Sequence, residues 1–218
     1  MLTRLIVVAI GYCFGLFQTG YLLSKYVLHE DIRTKGSGNS GATNALRVFG
    51  VKAGLITFLG DVLKALIYCL ILKLGFGAHF GDQAEVIMLY GGLGVILGHS
   101  YPFYMNFKGG KGVASSAGVL FAYDWRLTVI LLLIFVVIVY LTRYVSLGSL
   151  IAVGLLPVAA LIFHALSWHV IPAAAFAETI ILMLILVALC TWAHRANIGR
   201  LKNGNENKIS FKKKGTEK

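Results

Sequence analysis

Charged side chains are scarce in this chain, at 13% of its 218 residues against 58% hydrophobic, with a mean hydropathy of +0.80. That balance excludes an ordinary soluble domain. Cysteine is scarce too. Cys13, Cys69 and Cys190 lie inside apolar runs without C-x-x-C spacing, so they encode no disulfide framework and read as small buried hydrophobes. There is no zinc-spaced cluster, no G-x-S-x-G elbow and no obvious pair of nearby carboxylates, which removes zinc, serine-hydrolase and glycosidase chemistry. No internal repeat is evident, and the length leaves no room for a second domain.

What is present is a series of apolar runs, at about Leu5 to Leu28, Val51 to Leu74, Ala84 to Leu97, Val113 to Tyr123, Leu127 to Leu141, Leu147 to Trp168 and Ile171 to Ala193. A helix needs about 20 apolar residues to cross about 30 Å of hydrocarbon, so the expectation is an all-α, polytopic membrane bundle of about seven segments. The third and fourth are short and are expected to extend into polar flanks or form partial spans. The first run is long and lacks a small-residue cleavage site, so it reads as an uncleaved span. Residues 1–201 form one membrane domain, and 202–218 a polar, basic and flexible tail.

The net charge of +11 would point to nucleic acid in a soluble protein. Here the basic residues sit in short loops and the tail, so it reads as topology and attraction to anionic lipid, with no nucleic-acid partner. Arg33, Lys35 and Arg47 fall in the first loop, Lys108 and Lys111 in the third, Arg143 in the fifth, and Arg195, Arg200, Lys202, Lys208 and Lys212 to Lys214 at the end. Sharing one side places the odd loops and the C-terminus in the cytoplasm and the N-terminus outside.

The stretch Gly98 to Ser115 (GHSYPFYMNFKGGKGVAS) holds a glycine-lysine loop, Lys108, Gly109, Gly110, Lys111 and Gly112. It is no Walker A, yet a glycine turn leading into an apparent helix at Val113 suits an anion. The first loop, Asp31 to Arg47 (DIRTKGSGNSGATNALR), formally matches G-x-G-x-x-G at Gly36, Gly38 and Gly41. A dinucleotide reading fails because a membrane span, not a strand of a βαβ unit, precedes it. Ser37, Asn39, Ser40, Thr43 and Asn44 between Arg33 and Arg47 suit a phosphorylated polyol. Arg143 to Ser149 (RYVSLGS) adds Ser146 and Ser149. His194 and Asn197 share a helix face at i and i+3. His99 reads equally as a buried histidine or a substrate ligand. Asp61 and Lys64, at i and i+3 in an apolar run, should face the bundle interior as a pair.

These motifs, with GDVLK (Gly60 to Lys64) and HRANIGRLKNGNENK (His194 to Lys208), closely resemble the bacterial acyl-phosphate:glycerol-3-phosphate acyltransferases (PlsY) over nearly the whole chain. The resemblance implies a seven-helix enzyme of the bacterial inner membrane with a cytoplasmic active site. It would pass a fatty acyl group from acyl phosphate to the first hydroxyl of glycerol 3-phosphate, giving lysophosphatidic acid and phosphate in the first step of phospholipid synthesis. No metal, cofactor or protein partner is implied beyond the two substrates and membrane lipid. By motif position, Ser37, Arg47, Lys111, His194 and Asn197 are implied to be catalytic. Asn39, Thr43, Asn44, His99, Lys108, Gly109, Gly110, Gly112, Ser146 and Ser149 are implied to bind substrate. Two positions depart from the family pattern: Gly15-Leu16-Phe17-Gln18 replaces a glycine-serine-isoleucine-proline turn, and Ala196 replaces a frequent Glu. The rival reading is a phosphate or organic-anion transporter; against it, the polar motifs gather on one expected side and no inverted halves appear.

Overall fold

The computed structural model describes residues 1–209, so the Lys212 to Lys214 cluster lies outside the described residues. The described residues are helical with no strand. Helix α1 (Leu2–Gly15) is followed by the short α2 (Thr19–Leu22) and a π-helical turn, α3 (Ala42–Phe49) and α4 (Val51–Leu70). Then come α5 (Gly77–Phe80), α6 (Ala84–Ser100), α7 (Val113–Tyr123), α8 (Trp125–Thr142), α9 (Val145–Gly154), α10 (Leu156–Ala165), α11 (Ala173–Ala193) and α12 (Arg195–Lys202). Among the described residues six helical stretches are long and apolar enough to cross a membrane. The third apolar run grows into one of them, Gly77–Met105, while the fourth stays short as the 11-residue α7.

Helix α6 is the axis of the bundle. It carries Val86, Met88, Leu89, Val95 and Ile96 into the core, and it is far more enclosed than the other spans. Its close approach to α1 rests on small residues. A Cβ at Gly94 would strike the Val8 carbonyl, and one at Gly15 would strike that of Val95. In lipid, where no hydrophobic force draws helices together, such backbone proximity supplies the packing. Leu133, Val136, Val137 and Leu184 stay exposed, as lipid-facing side chains should.

The first span is not one helix. It breaks at Leu16 to Gln18. Gln18 is 1% exposed, and its amide Nε2 donates to Gly15 O at 3.1 Å and His99 O at 2.9 Å while its Oε1 accepts from Ser40 Oγ. The side chain thus satisfies the Gly15 carbonyl at the break and the His99 carbonyl at the end of α6, as buried backbone requires.

The two ends of the bundle differ. At the end carrying the α4–α6 and α10–α11 connections, His169 Nε2 lies 2.8 Å from Glu85 and Nδ1 lies 3.1 Å from Asp124. Lys73 pairs with Glu85 at 2.8 Å and Arg126 with Asp124 at 2.7 Å. Asp124 also caps α8, accepting from the Arg126 and Leu127 amides. This network staples four helix ends together. The glycine-rich loops lie at the other end.

Candidate active site

The first loop is knotted by Asn44. Its Oδ1 accepts from the Ser37 amide at 2.8 Å, and its Nδ2 donates to Lys35 O at 3.0 Å and Asn39 O at 2.9 Å. Asn39 then joins the two loops, donating from Nδ2 to Gly109 O at 2.7 Å while accepting from the Gly41 amide. Both side-chain amides are spent on shaping the loop, so its outward donors are Ser37, Thr43 and Arg47.

The glycine-lysine loop is built on the end of α6. Gly109 N donates to Ser100 O and Gly110 N to His99 O, each at 3.0 Å. A Cβ at Gly110 would run into the His99 ring, Nε2 first. Gly112 has φ +80°, the left-handed region that favours glycine, and it turns the chain directly into α7. Among the described residues no side chain caps α7, so its first-turn amides and dipole face the space in front of it.

That space is a cavity of about 140 Å³. It brings together Ser37, Asn39, Thr43, Asn44, Arg47, His99, Lys111, Gly112, Ser146, Ser149, His194 and Asn197. Lys108, Gly109 and Gly110 are not on its wall: Lys108 is exposed, and the two glycines shape the loop from behind. Ser149 Oγ donates to its own helix at Val145 O. Ser146 Oγ is buried and has no hydrogen-bond partner among the described residues, an acceptor and donor on the cavity wall.

Three cations line the cavity, Arg47, Lys111 and Arg200. Among the described residues no carboxylate pairs with Arg47. Lys111 donates from Nζ to Asn197 Oδ1. Asn197 Nδ2 donates to Glu206 Oε1 at 2.7 Å, and Arg200 Nε donates to Glu206 Oε2 at 2.8 Å. Burial pushes the Lys111 ammonium down to about 8; Glu206 opposes that shift, and Arg200 and Arg47 add to it. Desolvation, with Lys111 close by, likewise holds the His194 imidazolium down at about 4, so the ring is neutral at neutral pH. His194 Nδ1 sits 2.8 Å from Cys190 O. A carbonyl only accepts, so the proton is on Nδ1 and Nε2 carries the lone pair.

Glu206 is the residue sequence reasoning missed. It belongs to the stretch expected to be flexible tail, yet residues 203–209 turn back over the cavity, with Glu206 and Asn207 on its wall and Ile209 N donating to Arg143 O. The available signal was a lone acid in a basic run. Ala196 is exposed and off the wall. The carboxylates on the wall are Asp61 and Glu206.

Phe58, Val113 and Phe135 line the cavity and also an adjoining groove of about 60 Å³. The rest of that groove is almost wholly apolar, with Ala117, Leu120, Leu131 and Leu132 among its walls. A site so built can hold two anionic groups in the polar part and an alkyl chain beside them.

The chain is similar to known proteins over nearly its whole length. The family model for glycerol-3-phosphate acyltransferase matches residues 5–204. A glycerol-3-phosphate acyltransferase of Clostridioides difficile strain 630 is 38% identical over 96% of this chain and 97% of its own. One of Syntrophomonas wolfei is 39% identical over 92% of this chain and 94% of its own. A crystal structure of PlsY, an integral membrane glycerol 3-phosphate acyltransferase, in its glycerol 3-phosphate form superposes with a TM-score of 0.79 at 34% identity. That match covers 95% of this chain and 96% of that one. The lysophosphatidic acid form gives 0.78 at 33% identity. With the family model covering residues 5–204 and relatives 38–39% identical over more than nine-tenths of its length, the chain belongs to the glycerol-3-phosphate acyltransferase family.

Proposed function

We propose that the chain transfers a fatty acyl group from acyl phosphate to the sn-1 hydroxyl of glycerol 3-phosphate, releasing lysophosphatidic acid and inorganic phosphate, on the cytoplasmic side of a bacterial plasma membrane. The observation that carries this reading is a polar cavity with three cations and a free helix N-terminus, opening onto an apolar groove through shared walls at Phe58, Val113 and Phe135.

Acyl phosphate is already activated, because phosphate is a competent leaving group. The chain therefore needs to supply position and charge rather than a nucleophile. Lys111 and the amides opening α7 hold the donor phosphate, and the alkyl chain lies in the groove. Arg47, Ser37 and Thr43 hold the acceptor phosphate, with Asn39 and Asn44 fixing their loop. The hydroxyl oxygen attacks the acyl carbonyl carbon and a C–O ester bond forms. The C–O bond to phosphate then breaks and its electron pair leaves with phosphate. The hydroxyl proton passes to His194 Nε2 and on to the departing phosphate. Ser146 Oγ, without a partner among the described residues, donates to the carbonyl or a phosphate oxygen.

The experiment is an assay in detergent micelles, where transport has no meaning. The purified protein receives labelled glycerol 3-phosphate with either acyl phosphate or acyl-coenzyme A. Labelled lysophosphatidic acid from acyl phosphate alone is the expected result. Product only from the thioester overturns the donor assignment, and no product with either overturns the reading.

A further inference from the structure

Beneath the glycine loop, inside the bundle, lies a group of buried polar residues that the proposed transfer does not use. We infer that Lys64 and Asp61 are positioning residues that hold His99 as a fixed Nε2–H donor to a substrate oxygen. This rests on the function proposed above.

Lys64 Nζ lies 2.6 Å from Phe17 O, 2.8 Å from Asp61 Oδ1 and 2.9 Å from His99 Nδ1. Thr19 Oγ1 donates to the same Asp61 oxygen at 3.2 Å. An ammonium has three protons and no lone pair, and Lys64 has one close acceptor for each. His99 Nδ1 must then be an acceptor, which puts the ring proton on Nε2. That edge is pressed against Gly110 of the glycine loop, and both His99 and Asp61 line the cavity. The ring is held at Nδ1 by Lys64 and its main chain is fixed separately, the His99 carbonyl accepting from Gly110 N at 3.0 Å and from Gln18 Nε2 at 2.9 Å. An ion pair inside a membrane bundle is costly to maintain, and this one reaches the cavity wall at Asp61 and, through Lys64, at His99. Fixing a histidine tautomer through a charged neighbour is a general means of aiming the opposite nitrogen.

The acceptor oxygen belongs either to glycerol 3-phosphate or to the acyl phosphate, and kinetics with each substrate varied separate the two. A glutamine at position 99 brings its amide nitrogen to the Nε2 position; an asparagine reaches only the Nδ1 position and serves Lys64 alone. His99→Asn is expected to lower kcat/KM at least about tenfold for the substrate that receives the bond, while His99→Gln stays within about threefold of the parent, on the scale of one hydrogen bond to a charged group. A merely structural histidine, present to satisfy Lys64, predicts Asn equal to or better than Gln, and that order overturns the inference. Nitrogen-15 histidine spectra of the parent protein give a readout independent of turnover. The Nε2–H tautomer at His99 is expected, and an Nδ1–H tautomer overturns the inference. Replacing both charges together, Lys64→Met with Asp61→Asn, should convert that signal to a tautomer mixture; an unchanged signal denies the pair its positioning role. Parent protein without acyl transfer would fail the functional reading while leaving the spectra to decide this one.

Discussion

The charge state of Lys111 should set the upper pH limit of catalysis. Its ammonium is held down to about 8 because burial in the cavity wall penalises the charge more than Glu206 restores it. Phosphate binding requires that charge, and kcat/KM reports groups of the free enzyme. Raising the pH past 8 therefore removes the competent form, and each further unit should cost about tenfold, leaving roughly a tenth of the plateau value at pH 9. Lys111→Arg carries a guanidinium that stays charged above about pH 12, so the alkaline limb should vanish even though its forked geometry lowers the plateau. Glu206→Gln removes the contribution that raises the Lys111 value, so its limb should move to lower pH. Glycerol 3-phosphate itself titrates near pH 6, an acid-side effect common to all three proteins. The assay is initial-rate acyl transfer in micelles across pH 6 to 10 at subsaturating glycerol 3-phosphate. An alkaline limb that persists in Lys111→Arg, or that moves upward in Glu206→Gln, refutes the reasoning.

Three further outcomes follow from the same geometry. His194→Ala should lower kcat by about a hundredfold or more with little change in either KM, since the ring acts on the proton and not on substrate binding; a large rise in KM at unchanged kcat denies it that role. Asp61→Ala should cost about 3–5 kcal/mol of stability, because Lys64 is then a buried charge without its counter-ion. Thermal unfolding in micelles reads this, with Asp61→Asn expected to lose less. His169, between Glu85 and Asp124, has its value raised above the ordinary one, chiefly by the hydrogen bond to Glu85. The folded state binds the proton more tightly than the unfolded, so this staple is at full strength below about pH 6.5 and fades as the pH rises through the folded value. The melting temperature of the parent should fall more than that of His169→Gln between pH 6 and pH 9, and parallel curves would show the histidine contributing nothing.

Local pattern carried much of this in the sequence. Apolar runs marked the spans, and glycine with lysine marked the loop at Lys108 to Gly112. Spacing of i and i+3 paired Asp61 with Lys64, and the structure places them 2.8 Å apart. Distance along the chain hid the rest. His99 stood undecided because its partner Lys64 lies on another span, and only packing of α4 on α6 brings them together. The amides of Asn39 and Asn44 looked like outward donors, since nothing local shows that they close on Gly109 O and on backbone within their own loop. Glu206 hid in a polar stretch whose composition argues for flexibility, while its anchors, Asn197 and Arg200, sit on α12. Gln18 fell at an irregular place in the chain, and its role is visible only once folding sets it between the Gly15 carbonyl at the end of α1 and the His99 carbonyl at the end of α6.

The central claim is that this one cavity performs the transfer between two phosphates. Its most direct test is the yield of labelled lysophosphatidic acid and inorganic phosphate by purified parent and Lys111→Ala proteins of matched thermal stability, given acyl phosphate and glycerol 3-phosphate in micelles. The parent should form the two products in equal amounts, and Lys111→Ala should lose most of both. Near-normal turnover by folded Lys111→Ala protein would contradict the account.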